Sequence, residues 1–207
     1  MYIPKHNAFF FHTPKAGGTS IEIFFLNDDG VYINHHNLSK RLNQQQREKY
    51  KIATEWLPSP YTSQHATCEH VVQTELWKKV NYSFTIVRNP WDRVISEWKY
   101  LQQETNKLTI TLDEVINMFI VGSGAHFIPQ WKYAYLNDNL VVDDIFKLED
   151  IAAAEKKLSE VFNIQVKIPR FNNTHRDNDY RKYFTQEQLD KLENVLEKDA
   201  RTFNYVF

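Results

Sequence analysis

Twice in this chain a short apolar run stops at a polar loop from which helical spacing begins, and this repeated pattern constrains the fold more than any other feature. The first run, Ala8 to Phe11, passes into Thr13-Pro14-Lys15-Ala16-Gly17-Gly18, after which Thr19 to Leu26 reads as a helix. The second, Tyr82 to Val87, is rich in β-branched and aromatic residues and ends in Arg88-Asn89-Pro90, with Pro90 placed to open a helix to about Gln103. Both runs read as buried strands. Leu140 to Leu148 is a further expected strand, and Glu149 to Phe162 an amphipathic helix. Thr111 with Glu114 and Thr185 with Gln188 have capping-box spacing, predicting helices that end near Val121 and Arg201. Apolar residues at Val71, Val72, Leu76 and Val80 predict a helix over Thr67 to Val80, and Ser39 to Ala53 is another candidate before the break at Pro58-Ser59-Pro60. Strands alternating with helices argue for one α/β domain over residues 1–207, a mainly parallel sheet flanked by helices. In such sheets ligands bind beyond the carboxyl ends of strands, where Lys15 and Arg88 both stand.

Charge narrows what those ends can bind. With 25 Lys and Arg against 26 Asp and Glu the net charge is −1, so no global basic field exists to hold nucleic acid, and any anion site must be local. One cysteine, Cys68, allows no intrachain disulfide. The only apolar run near the N-terminus is the four residues before His12, too short for a signal segment or a membrane span. A soluble, cytoplasmic protein with neither nucleic-acid nor membrane partner is therefore expected.

A strand, a Gly-Gly turn and a helix start make an anion site for a physical reason. Glycines allow close backbone approach, and the first N–H groups of a helix point outward without internal partners. Lys15 adds a charge; Thr19 and Ser20 add hydroxyls. The order differs from the Walker A loop, whose lysine follows its glycines, whereas Lys15 precedes Gly17 and Gly18. Alone, such a turn is equally an ordinary strand-to-helix connection. Pro14-Lys15-Ala16-Gly17-Gly18-Thr19-Ser20 resembles the PK-x-GGTS loop of sulfotransferases that use 3′-phosphoadenosine 5′-phosphosulfate (PAPS). The nearest branch is the carbohydrate type, which includes heparan sulfate 2-O- and chondroitin 4-O-sulfotransferases and small bacterial relatives. The resemblance implies a fold like that of P-loop nucleotide hydrolases, with this loop on the 5′-phosphosulfate and Lys15 stabilising the departing phosphate. The segment from Phe84 to Trp98 resembles the family's second motif, F-x-x-V-R-N-P-[FW]-[DE]-R-x-x-S-x-[YW]. It implies that Arg88 and Ser96 hold the 3′-phosphate of PAPS, a task suited to the paired donors of a guanidinium. Arg93 and Asp92 are expected to form an internal ion pair that fixes the loop, with Trp91, Trp98 and Tyr100 as core or pocket walls.

Transfer of sulfonate to a hydroxyl needs a base, and histidine is the usual one near neutral pH. Of 8 histidines, His65 is the first choice. It follows the proline-broken stretch, and His65-Ala66-Thr67-Cys68 is similar to an H-A-T-A segment of the family's small members. His70 or a carboxylate are alternatives, and His12 is expected to orient the donor loop. His65, Cys68 and His70 do not share one helical face, so no metal is expected. Weaker resemblances run on through His126 to Gln130, Tyr135-Leu136, Asp144 to Asp150, Phe171 to Thr174 and Asp199 to Phe207, with Arg176 and Arg181 in a loop expected to close over the nucleotide. The expected chemistry is in-line transfer from PAPS, leaving PAP, to a carbohydrate or small-metabolite hydroxyl. A P-loop-type nucleotide kinase and a non-catalytic PAP- or anion-binding protein are the competing readings.

Overall fold

A computed structural model of the chain describes residues 1–27, 64–104, 109–170 and 176–207. The expected helix over Ser39 to Ala53, the break at Pro58 to Pro60 and the segment Phe171 to Thr174 lie outside the described residues.

Six strands are present among them: β1 (Tyr2–Ile3), β2 (Ala8–Phe11), β3 (Tyr82–Val87), β4 (Tyr135–Leu136), β5 (Asn139–Leu140) and β6 (Asp144–Lys147). The main sheet has the order β1-β2-β3-β6, with β2, β3 and β6 parallel and β1 an antiparallel edge. Phe11 lies opposite Thr85 and Val87 opposite Lys147, so the loops after β2 and β3 leave the same end of adjacent strands. The helices are α1 (Gly18–Asn27), α2 (Cys68–Val71), α3 (Pro90–Glu104), α4 (Leu112–Val121), α5 (Ile151–Phe162) and α6 (Gln186–Phe203).

Every residue of β2 is buried because both faces of the sheet are covered. Phe10 and Phe84 join Ile21 and Phe25 of α1 and Leu158 and Phe162 of α5 on one face, while Phe9, Phe11 and Val87 meet Val71, Tyr133 and Phe203 on the other. Each buried Phe contributes roughly 1.5–3 kcal/mol. A third cluster ties α3 to α4 and α6 through Val94, Ile95, Val115, Ile116, Leu192 and Leu196. Both capping boxes form: the Thr111 hydroxyl accepts from the Glu114 N–H at 3.2 Å and that of Thr185 from Gln188 at 3.3 Å.

Two elements depart from the sequence reading. The helix predicted over Thr67 to Val80 is only α2, followed by a 3-10 turn at Trp77–Lys79. The Thr74 hydroxyl donates to the Val71 carbonyl at 2.7 Å and so competes with the helical ladder there. The strand predicted over Leu140 to Leu148 divides into β5, paired with β4, and β6 in the main sheet. Asp143 marks the division, since its N–H donates to the Ser83 carbonyl and its carboxylate accepts from the Ser83 N–H and hydroxyl. Among the described residues no helix is long and apolar enough to cross a membrane.

Candidate active site

The loop after β2 begins with its strand end pinned to the neighbouring strand. Thr85 donates its hydroxyl to the Phe11 carbonyl at 2.8 Å and accepts from the Thr13 hydroxyl at 3.0 Å. Lys15 then takes a left-handed backbone, φ 62°, and Gly17 another, φ 81°. A lysine in that region is uncommon, and left-handed residues alternating with ordinary ones build the concave backbone that binds anions. Gly17 also lies so close to Leu148 that a Cβ would come within 2.7 Å of its Cδ1, and a Cβ on Gly18 would come within 2.2 Å of the His12 ring. At Gly17 both conformation and space require glycine, and at Gly18 space alone does. Ala16 is buried in the core, and the Ser20 N–H donates to the Gly17 carbonyl at 3.0 Å as α1 starts. Thr19 is half-buried beside the buried Ser20.

His12 is the floor of this loop. Its Nδ1–H donates to Glu22 Oε1 at 2.7 Å, and Glu22 Oε2 accepts from the Gln64 amide at 2.6 Å. Both His12 and Glu22 are buried, so the pair compensates a carboxylate held away from water. The His12 carbonyl accepts from His65 Nδ1 at 3.0 Å. That bond assigns the proton to Nδ1 and the lone pair to Nε2, the tautomer a base requires. The two rings meet edge to face at 4.7 Å between centroids.

One face of α3 grips the loop from the other side. Arg93, Glu97 and Tyr100 follow helical spacing, with Ser96 buried beside them. Arg93 is buried and donates to the carbonyls of Pro14 at 3.2 Å, His126 at 2.7 Å and Ile128 at 2.8 Å. Its carboxylate neighbour is Asp199 at 3.9 Å, which corrects the expected Arg93–Asp92 pair. Burial lowers the Arg93 pKa and raises that of Asp199, and the Asp199 carboxylate is stabilised in turn by the N–H groups of Gln130 and Trp131, both at 2.9 Å. Tyr100 places its ring 3.8 Å beneath Lys15 Nζ. Glu97 meets His126 Nδ1 through both oxygens at 3.0 and 2.9 Å, and the His126 ring lies 5.1 Å from His65 and 5.6 Å from Tyr100.

The loop after β3 is held by side chains. Gln130, wholly buried, accepts from the Arg88 N–H at 2.9 Å and donates to the Arg88 carbonyl at 2.8 Å. Glu149 accepts from the Asn89 N–H and from Tyr205, each at 2.7 Å. Asn89 caps α3 by accepting from the Trp91 and Asp92 N–H groups, and Pro90 opens the helix. The Arg88 guanidinium reaches across to the loop after β2, donating to the Lys15 carbonyl at 3.1 Å. Asp92 accepts from its Nε at 2.7 Å and also pairs with Arg176 at 2.5 Å. Burial lowers the Arg88 pKa and Asp92 opposes that shift.

The structure thus brings Lys15, Gly17, Gly18 and Arg88 to the ends of two neighbouring strands, sets His65 against His12 and buries Ser96 within α3. His70 is spent elsewhere: its Nδ1 accepts from the Thr67 N–H at 3.1 Å as part of a cap. Cys68 is buried in the core, where burial pushes its thiol up to about 12. Arg176 does reach Arg88's carboxylate partner, whereas Arg181 lies exposed on the Tyr180 and Phe207 rings. Sequence reasoning missed His126 and Glu97 as part of the surroundings of His65 and Lys15, and it placed Tyr100 only as a wall. The one available signal was the shared helical face of Arg93, Glu97 and Tyr100.

The sequence matches the profile of the sulfotransferase family over residues 1–206. Among solved structures it is similar to the crystal structure of mouse sulfotransferase SULT7A1 complexed with PAP. That likeness has a TM-score of 0.52 at 15% identity and covers 95% of this chain and 85% of the other, a likeness of fold. No curated protein matches the sequence significantly.

Proposed function

The chain belongs to the sulfotransferase family, and from that premise we propose that it moves the sulfonate of PAPS to a hydroxyl of a carbohydrate or small metabolite. The observation that carries this reading is the junction of two cationic loops on adjacent parallel strands, closed by the Arg88 guanidinium on the Lys15 carbonyl at 3.1 Å. PAPS has anionic groups at two separate points, and the residues fit that pattern. The glycine loop, whose two side-chain-free residues pack against Leu148 and His12, accommodates the 5′-phosphosulfate, while Arg88 and Ser96 hold the 3′-phosphate.

The donor supplies an activated sulfonate, whose sulfur–oxygen bond to the 5′-phosphate breaks as the acceptor oxygen bonds to sulfur. His65 takes the acceptor's proton on Nε2, its Nδ1–H anchored on the His12 carbonyl. Lys15 neutralises charge growing on the departing phosphate oxygen. The left-handed backbone and the Tyr100 ring set that ammonium in place before reaction. Tyr32, Tyr50, Trp56 and Tyr61, which the sequence alone leaves equally as core or as stacking partners for a sugar, lie outside the described residues.

Thermal unfolding with added PAP tests the reading. At about 100 times its Kd the ligand adds about 2.7 kcal/mol, roughly 5–10 °C for a chain of this size. No shift with PAP or PAPS at millimolar concentration would refute it, and a shift with ATP and magnesium instead would favour the kinase. Lys15→Ala is expected to lower turnover about 10²–10³-fold. His65→Ala is expected to lower it about 10²–10⁴-fold while PAP still binds. Near-full activity in His65→Ala would remove His65 as the base.

A further inference from the structure

His65 stands between two histidines, each tied to a buried carboxylate: His12 with Glu22 on one side, His126 with Glu97 on the other. His12 belongs to the donor loop. The transfer chemistry derived above assigns nothing to the second pair.

His126 touches both halves of that chemistry. Its ring is edge-on to the base at 5.1 Å and 5.6 Å from Tyr100, whose face carries Lys15 at 3.8 Å. Its backbone carbonyl accepts from Arg93, the same guanidinium that holds the Pro14 carbonyl of the donor loop. Glu97 is 1% exposed, and an isolated carboxylate is costly to bury there. Both of its oxygens lie against His126 Nδ1, which fixes the orientation of that ring. A residue needed only to fill space between Tyr100 and His65 would require no buried charge behind it. Resting on the transfer reading above, we propose that His126, oriented by Glu97, is a positioning residue for sulfonate transfer. It sets the base His65 and the aromatic seat of Lys15 at a fixed spacing, so that proton removal and leaving-group neutralisation act on one reacting geometry.

The test separates positioning from binding, because the main chain of the Arg88 loop is held by Gln130 and Glu149 rather than by Glu97 or His126. Turnover is read as release of label from radiolabelled PAPS, onto an added acceptor or onto water. His126→Gln, whose amide can still serve Glu97, is expected to lower kcat about 100-fold, the scale of an ångström's misplacement, with PAP affinity within about twofold of wild type. Glu97→Gln keeps an oxygen for the ring N–H and should retain activity within about fivefold, whereas Glu97→Leu should fall with His126→Gln. Turnover within about threefold of wild type in folded His126→Gln, or a loss of PAP affinity equal to the loss of turnover, would overturn the proposal. Should His126→Gln fail to fold, the two Glu97 variants decide: equal losses, or none, refute it. A substrate-free reading comes from the imidazole NMR signals of His65. These should move in Glu97→Leu and stay in place in Glu97→Gln, and unmoved signals in both count against positioning. If the wild type neither binds PAP nor releases label, the transfer reading fails instead, and the His65 signals still report on the pair.

Discussion

The loops after β2 and β3 occupy equivalent places in the sheet and are built by opposite means. The first is a backbone device: a lysine and a glycine with left-handed φ, and two glycines against which Leu148 and His12 press. The second contains no glycine. Its main chain is clamped by remote side chains, Gln130 on Arg88 and Glu149 on Asn89, and the group it presents toward the first loop is a guanidinium. A backbone cradle suits a group that must be approached closely on several sides while its charge changes. A guanidinium with paired donors suits a phosphate that is only held. The difference also explains the weaker resemblances late in the chain. Gln130, Glu149, Asp199 and Tyr205 build the second loop and the segment behind it.

The largest expected effect breaks the first loop. Gly18→Ala puts a methyl group 2.2 Å from the His12 ring, and that ring is pinned by Glu22, so the loop must move. Overpacking of this kind costs about 1–3 kcal/mol, roughly 3–10 °C in Tm, and should also abolish detectable PAP stabilisation. Asn89→Ala, the corresponding cut at the second loop, removes a cap worth about 1 kcal/mol together with the amide's bond to the Val206 carbonyl at 3.0 Å, and should leave PAP binding measurable. If Asn89→Ala proves the more damaging to PAP binding, the contrast between backbone and side-chain construction is wrong.

Arg88→Lys probes the second loop. Lysine keeps the charge but loses the fork that reaches the Lys15 carbonyl and Asp92 together. PAP affinity should fall about 10- to 30-fold, equivalent to about 1.4–2 kcal/mol, in a calorimetric titration. Turnover at saturating donor should change far less, because Lys15 and His65 remain in place. An equal loss in kcat would mean that Arg88 acts on the reacting end as well.

What the sequence disclosed and what it hid follow the same division. β2, β3, the start of α3 and the two capping boxes were legible because their signals are local: apolar runs, Pro90 after Asn89, a threonine three residues before a glutamate or glutamine. The glycine loop was legible for the same reason. The clamp on Arg88 comes from Gln130, and the partner of Arg93 is Asp199, and no spacing rule links residues so far apart in the chain. Asp92 and Arg93 looked like a pair because they are adjacent, but neighbours on a helix point in different directions. Periodicity likewise overran at Thr67 to Val80, since it registers apolar spacing and not a threonine hydroxyl that ends a helix.

The smallest expected effect lies at the link between the two loops. Thr85 on β3 holds the end of β2 through the Phe11 carbonyl and the Thr13 hydroxyl, wholly buried. Thr85→Val keeps the shape, removes the donor to Phe11 and leaves the Thr13 hydroxyl without that acceptor. The cost should be about 1 kcal/mol, a fall in Tm of about 2–4 °C. PAP affinity should change by less than about threefold, because the loops also meet directly through Arg88 on the Lys15 carbonyl. A tenfold loss of affinity in this variant would instead mean that the strand pair, rather than the guanidinium, transmits register between the two anion sites. In that case Arg88→Lys and Thr85→Val should be non-additive when combined, since both would act through the same link.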